Sequence, residues 1–136
     1  MLKLIKWLLF IPVLLLTGYI VADKANMSAR AHQLVGVDVL PYGAICTPDW
    51  QALNPLGCRY RYQIEPENFA KLAEQELTPA RGWKQVSDTN NLAYPHLKTD
   101  LSEDSLVFIN KELPNRTRWV TYLPTKGLLL LGFHVH

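Results

Sequence analysis

The sequence predicts an α+β protein: an N-terminal transmembrane helix, then a small, mostly antiparallel sheet with one packed helix. Three observations carry this expectation. Trp7 to Ala22 runs sixteen residues without a charge, behind Lys3 and Lys6. Several later stretches alternate apolar and polar residues with period two, as half-buried strands do. One stretch, Pro66 to Leu77, places apolar residues at helical spacing behind a helix-start signal.

The N-terminal stretch is read first because it sets the compartment. Leu2, Leu4 and Ile5 extend the apolar run, and Lys3 and Lys6 can bury their stems while their ammonium groups reach the headgroups. Residues 1–22 then suit a signal-anchor helix, for which about 20 apolar residues suffice. Pro12 is tolerated in such a helix because neighbouring groups re-satisfy the freed carbonyl. The run has no polar face, which argues against the surface helix of a soluble domain. The alternative is a cleaved signal. Ile20-Val21-Ala22 fits the small-residue cleavage pattern poorly, and Ala29-Arg30-Ala31 fits it but lies well past the run. The two lysines orient the N-terminus to the cytoplasm. Residues 23–33 then form a stalk and 34–136 an extracytoplasmic domain. The expected location is the inner membrane, single-pass, with the domain periplasmic, or secreted or periplasmic if the signal is removed.

Within the domain, Leu34 to Leu40 alternates with Val35, Val37 and Val39 on one face, predicting a first strand that Pro41 and Gly43 end. Cys58 to Ile64 is the clearest strand. Cys58, Tyr60, Tyr62 and Ile64 share one face, and Arg59, Arg61 and Gln63 the other, as in a sheet covered on one side. A helix follows at Pro66, where a missing N–H costs nothing. Glu67 suits the positive end of its dipole. Phe69, Leu72, Ala73 and Leu77 form its buried stripe, and Thr78-Pro79 ends it. Trp83 to Val86 reads as a short strand. The long irregular stretch from Ser87 to Ser105 reads as a functional or mobile loop. Leu106 to Lys111, Arg118 to Leu123 and Leu128 to His136 are the last three strands, with turns at Pro114-Asn115 and Pro124 to Gly127.

Charge excludes one class of function. The chain holds 14 Lys+Arg and 12 Asp+Glu. Lys3 and Lys6 account for the whole excess, so the domain is neutral. A nucleic-acid binder carries a basic surplus that neutralises phosphates, and none is present here. The two cysteines, Cys46 and Cys58, read as a disulfide in an oxidising compartment. Closing that loop would contribute about 3 kcal/mol. Their spacing is not that of a zinc finger.

Few residues suggest chemistry. His134 and His136 point to one side of a strand and form a weak metal pair, short of a third ligand such as Asp104 or His96. The bland reading is a polar strand end, and no metal site is expected. Arg59, Arg61, Lys111 and Arg118 could share a basic sheet face that holds an anion, against the simpler reading of a solvated face. Trp50, Tyr94 and His96 are candidate partner contacts, since aromatic residues are enriched at binding surfaces. No phosphate loop, G-x-S-x-G or H-E-x-x-H motif occurs. A hydrolase would need a serine with His32 or His96 brought together by the fold.

The expectation is a membrane-tethered, non-enzymatic protein-interaction domain without a cofactor. One specific version is an inhibitor or immunity-type protein of the bacterial envelope, with an envelope or membrane protein as partner. The alternatives are an anion- or metal-binding envelope domain and a small hydrolase.

Overall fold

One helix runs from the N-terminus into the core. The computed structural model describes residues 2–47, 57–88 and 101–135. Helix α1 spans Leu2–Val35, 34 residues without a break. Pro12 lacks the N–H that would reach the Leu8 carbonyl, and separately the Thr17 hydroxyl donates to the Val13 carbonyl at 2.8 Å. The expected stalk is therefore helical. It also reaches the domain early, because Ala31 and Val35 are buried at 0% and 1% exposure.

Among the described residues, no helix is long and apolar enough to cross a membrane. The apolar part whose side chains are described, Leu4 to Tyr19, rises about 24 Å at 1.5 Å per residue, short of a ~30 Å hydrocarbon core.

Gly36 ends α1 in the left-handed conformation, φ 69°, and its N–H donates to the His32 carbonyl at 2.9 Å. The predicted first strand is not in the sheet. Leu34 and Val35 complete α1, residues 37–39 have no regular structure, and Leu40–Tyr42 is a 3-10 turn. The alternation still predicted burial: Val35, Val37 and Val39 are buried while Asp38 is exposed. Val35 closes α1 and Val39 has helical backbone angles, so the three valines are buried by packing against the core and not by a strand's alternation.

The sheet has six strands: β1 (Ile45–Thr47), β2 (Gly57–Gln63), β3 (Trp83–Val86), β4 (Leu106–Asn110), β5 (Arg116–Leu123) and β6 (Leu128–Val135). Helix α2 (Pro66–Gln75) lies between β2 and β3 in sequence. The order across the sheet is β1-β2-β6-β5-β4-β3, and every neighbouring pair is antiparallel. The β5–β6 hairpin turns through Pro124–Lys126 and Gly127, whose φ of 59° suits a residue without Cβ.

One row crosses the sheet at a single level: Cys46, Tyr62, Leu129, Tyr122 and Leu106. These side chains face α2, and the Phe69 ring stacks on Tyr122 with centroids 3.8 Å apart. Leu72, Ile64, Val120, Leu131 and the end of α1 complete this cluster.

The other face is not simply wet, which corrects the one-sided sheet. Val107, Ile109, Trp119, Leu123 and Leu130 form a second cluster, with Val86, Leu101 and Leu128 packed against it. β4, β5 and β6 are therefore apolar on both faces, like the central strands of a covered sheet. At the end of β4, buried Asn110 fastens the turn before β3. Its amide donates to the Arg81 carbonyl at 3.0 Å, and its oxygen accepts from the Glu112 N–H at 3.1 Å. Gly82 lies beneath the Glu112 carboxylate, where any Cβ would collide with that side chain.

Candidate functional site

Two features are candidates: the exposed length of α1 and a cleft at the β3 edge. From Leu4 to Tyr19, every large apolar side chain of α1 is between 53% and 71% exposed. The exposed side chains fall on all sides of the helix. A helix apolar all round belongs in a core or a bilayer, because exposed apolar area costs about 25 cal/mol per Å².

The cleft holds about 800 Å³. It forms where β3 is the last strand of the sheet. Val86 and Ile109 make its apolar lining, and Lys84, Asp88, Lys111 and Glu112 bring charges of both signs. Lys84 stands opposite Ile109 and Val86 opposite Val107 in the ladder. Among the described residues, no strand pairs with the outer side of β3. A sheet edge left open among the described residues, beside a charged cleft, has the chemistry to accept an extended peptide.

The four basic residues considered for an anion do not come together. The register places Arg59 opposite Gly132 and Arg61 opposite Leu130, which puts both positions on one face. Arg118 stands opposite Phe133 and so falls on the other face. Lys111 follows β4 and lines the β3-edge cleft, three strands away from β2.

Arg118 has a structural setting instead. Its guanidinium lies 5.9 Å from the Trp83 ring and beside Gly36, at the C-terminal end of α1. A positive charge there complements the helix dipole. Its Nε is buried without a hydrogen-bond partner among the described residues. Another arginine, Arg116, covers the Phe133 ring at 4.4 Å at the same C-terminal end of β6. Neither contact is legible in the sequence, because both join separate elements.

The predicted disulfide does not fit the strand register. Cys46 stands opposite Tyr62, and Cys58 lies four residues further along β2, opposite Phe133. Four residues of strand are about 13 Å. A disulfide needs Cα atoms within about 7 Å. The spacing in sequence concealed this because it says nothing of how β1 slides along β2. Cys46 is buried and interacts with the Tyr62 phenol, whose pKa is raised by burial and further by Cys46. Tyr122 is raised by burial and by the Glu65 carboxylate.

The remaining candidates are dispersed. His134 is half-buried opposite Gly57 and Thr117, while His136 lies outside the described residues. Asp104 accepts from Ser102 in an exposed turn. Among the described residues, no three His, Cys, Asp or Glu side chains are grouped as metal ligands. Trp50, Tyr94 and His96 also fall outside the described residues. His32 is exposed on α1. Comparison with protein-family models, curated proteins and solved structures found no match.

Proposed function

We propose that this protein is a membrane-tethered, non-enzymatic interaction domain, held by α1 and binding another protein of the bacterial envelope. The observation that carries the reading is the exposed apolar helix joined without a break to the core. The uncharged run from Trp7 to Ala22 rises about 24 Å as helix, and with Leu2 to Lys6, whose two lysines can snorkel, the rise is about 31 Å, the thickness of a hydrocarbon core. Lys3 and Lys6 near its start favour a cytoplasmic N-terminus, with the sheet domain on the other side.

The β3-edge cleft supports the interaction part of the proposal. Its mixed charge and the strand edge left open among the described residues suit a peptide segment of a partner better than a small anion. An inhibitor or immunity-type role is one specific form of this reading.

The tether is tested by floating the full chain with liposomes after an alkaline carbonate wash. Recovery with the lipid is expected, and recovery in the wash would overturn the tether. The partner is tested by cross-linking in native membranes through a photoreactive residue at Lys84. A discrete adduct that Val86→Lys weakens is expected. Identical adducts from a probe at exposed Lys71 on α2 would remove the cleft from the proposal.

A further inference from the structure

The tether has a geometric consequence for how the domain sits, and the argument here rests on that reading. We propose that the β1 edge of the sheet rests on the lipid headgroups, with Leu40 and Ile45 as the contacting side chains.

The path of α1 fixes which edge is nearest the bilayer. Its C-terminal end is at β5, where Gly36 meets the Arg118 side chain. The helix also touches β6 and β1. β1 and β5 are three places apart in the sheet, about 14 Å. The part of α1 at β1 must therefore precede the part at β5, by about nine or ten residues of helix. Followed towards its N-terminus, α1 crosses the sheet and leaves over the β1 edge.

The length of α1 sets the height. The apolar run ends at Ala22, and the helix is in the core by Ala31. That interval rises about 13 Å. The headgroup layer takes roughly 5–8 Å of it. The remainder is about one layer of side chains, whereas a domain of this size has a radius of gyration of about 13 Å. The body cannot stand clear of the headgroups.

The surface chemistry agrees. Beyond α1, the exposed large hydrophobics among the described residues are Leu40 at 63%, Ile45 at 59% and Leu113 at 45%. Leu40 and Ile45 flank the turn into β1. Leu113 lies in the turn between β4 and β5, three to four strands across the sheet from β1. The domain's neutral charge leaves apolar contact, not electrostatic attraction, to hold the edge down.

The test uses the full chain in phosphatidylcholine nanodiscs, with and without a gadolinium chelate on the headgroups, read by amide NMR. Paramagnetic relaxation falls with the sixth power of distance, and the β4–β5 turn that carries Leu113 is three to four strands from β1, about 14–19 Å further from the headgroups. Enhancement at Leu40 and Ile45 should exceed that at Leu113 by about tenfold or more. The double variant Leu40→Asp, Ile45→Asp should still float with liposomes but show the difference collapse. Equal enhancement at Ile45 and Leu113 in the wild type, or a larger one at Leu113, would overturn the docking while leaving the tether intact. Failure to float would overturn both.

Discussion

If the last turn of α1 belongs to the domain core, Val35→Ala should destabilise the sheet domain although it lies in the N-terminal helix. Val35 is 1% exposed and packs in the cluster with Ala31, Leu72 and Leu131. The change deletes two methyl groups, worth about 1.6 kcal/mol at ~0.8 kcal/mol each. An unrelaxed cavity of roughly 25–50 Å³ adds about 0.6–1.2 kcal/mol. The expected loss is therefore about 2–3 kcal/mol, a large part of the roughly 5–15 kcal/mol that holds such domains folded. With a urea slope of about 1.5 kcal/mol/M, the midpoint should fall by about 1.5–2 M. The assay is urea unfolding of the full chain in micelles, followed by tryptophan fluorescence, since Trp83 and Trp119 are buried. Leu14→Ala, at a position 57% exposed, is the control and should leave the midpoint unchanged. An unchanged midpoint for Val35→Ala at unchanged slope would refute the idea that the domain begins inside the helix.

Three further outcomes follow from the packing. Burial raises the pKa of Tyr62 and Tyr122, so the folded state keeps protons that the unfolded chain gives up near pH ~10. Their stabilisation is fully present below that pH and is lost as pH rises, with a slope of about 1.4 kcal/mol per pH unit for each tyrosine. Urea midpoints should be level to pH ~10 and fall above it, and Tyr62→Phe should flatten the fall. Asn110→Ala removes partners from the Arg81 carbonyl and the Glu112 N–H and should cost about 1–3 kcal/mol, read as a lower Tm. Peptide mapping without reductant should yield no Cys46–Cys58 linked peptide, and reductant should leave the Tm in place, because the register holds the two positions about 13 Å apart.

Local chemistry made part of the fold legible and geometry hid the rest. Pro66, Glu67 and the Phe69–Leu72 stripe signalled α2, because a helix start and an amphipathic face are short-range properties. β2, β3, β4 and β6 were readable by alternation or by their apolar runs, and β5 from Arg118 onward. The first strand was misplaced because Val35, Val37 and Val39 do alternate, but Gly36 turns the chain before it can pair. Ile45–Thr47, the strand that does pair, is too short for any period to register. The second apolar cluster was hinted at by the continuous run in β4, which a one-sided sheet does not need. Site geometry was the least legible. Whether Arg118 shares a face with Arg61, or Cys46 reaches Cys58, depends on register between strands, which no single strand encodes.

The unbroken helix also bears on the cleaved-signal alternative. Of the two candidate cleavage stretches, Ala29-Arg30-Ala31 fits the small-residue pattern better, but it lies inside α1. Ala31 is fully buried there. A cut after Ala31 would remove a core side chain and place a new charged terminus at His32, three residues from buried Val35. A cut after Ala22 would spare the core, but there the bulky Ile20 weakens the match. The stretch that suits a peptidase is thus the one the domain needs intact, and the stretch the domain can spare suits a peptidase poorly. That opposition favours retention of the helix, because its last turns belong to the core of the domain.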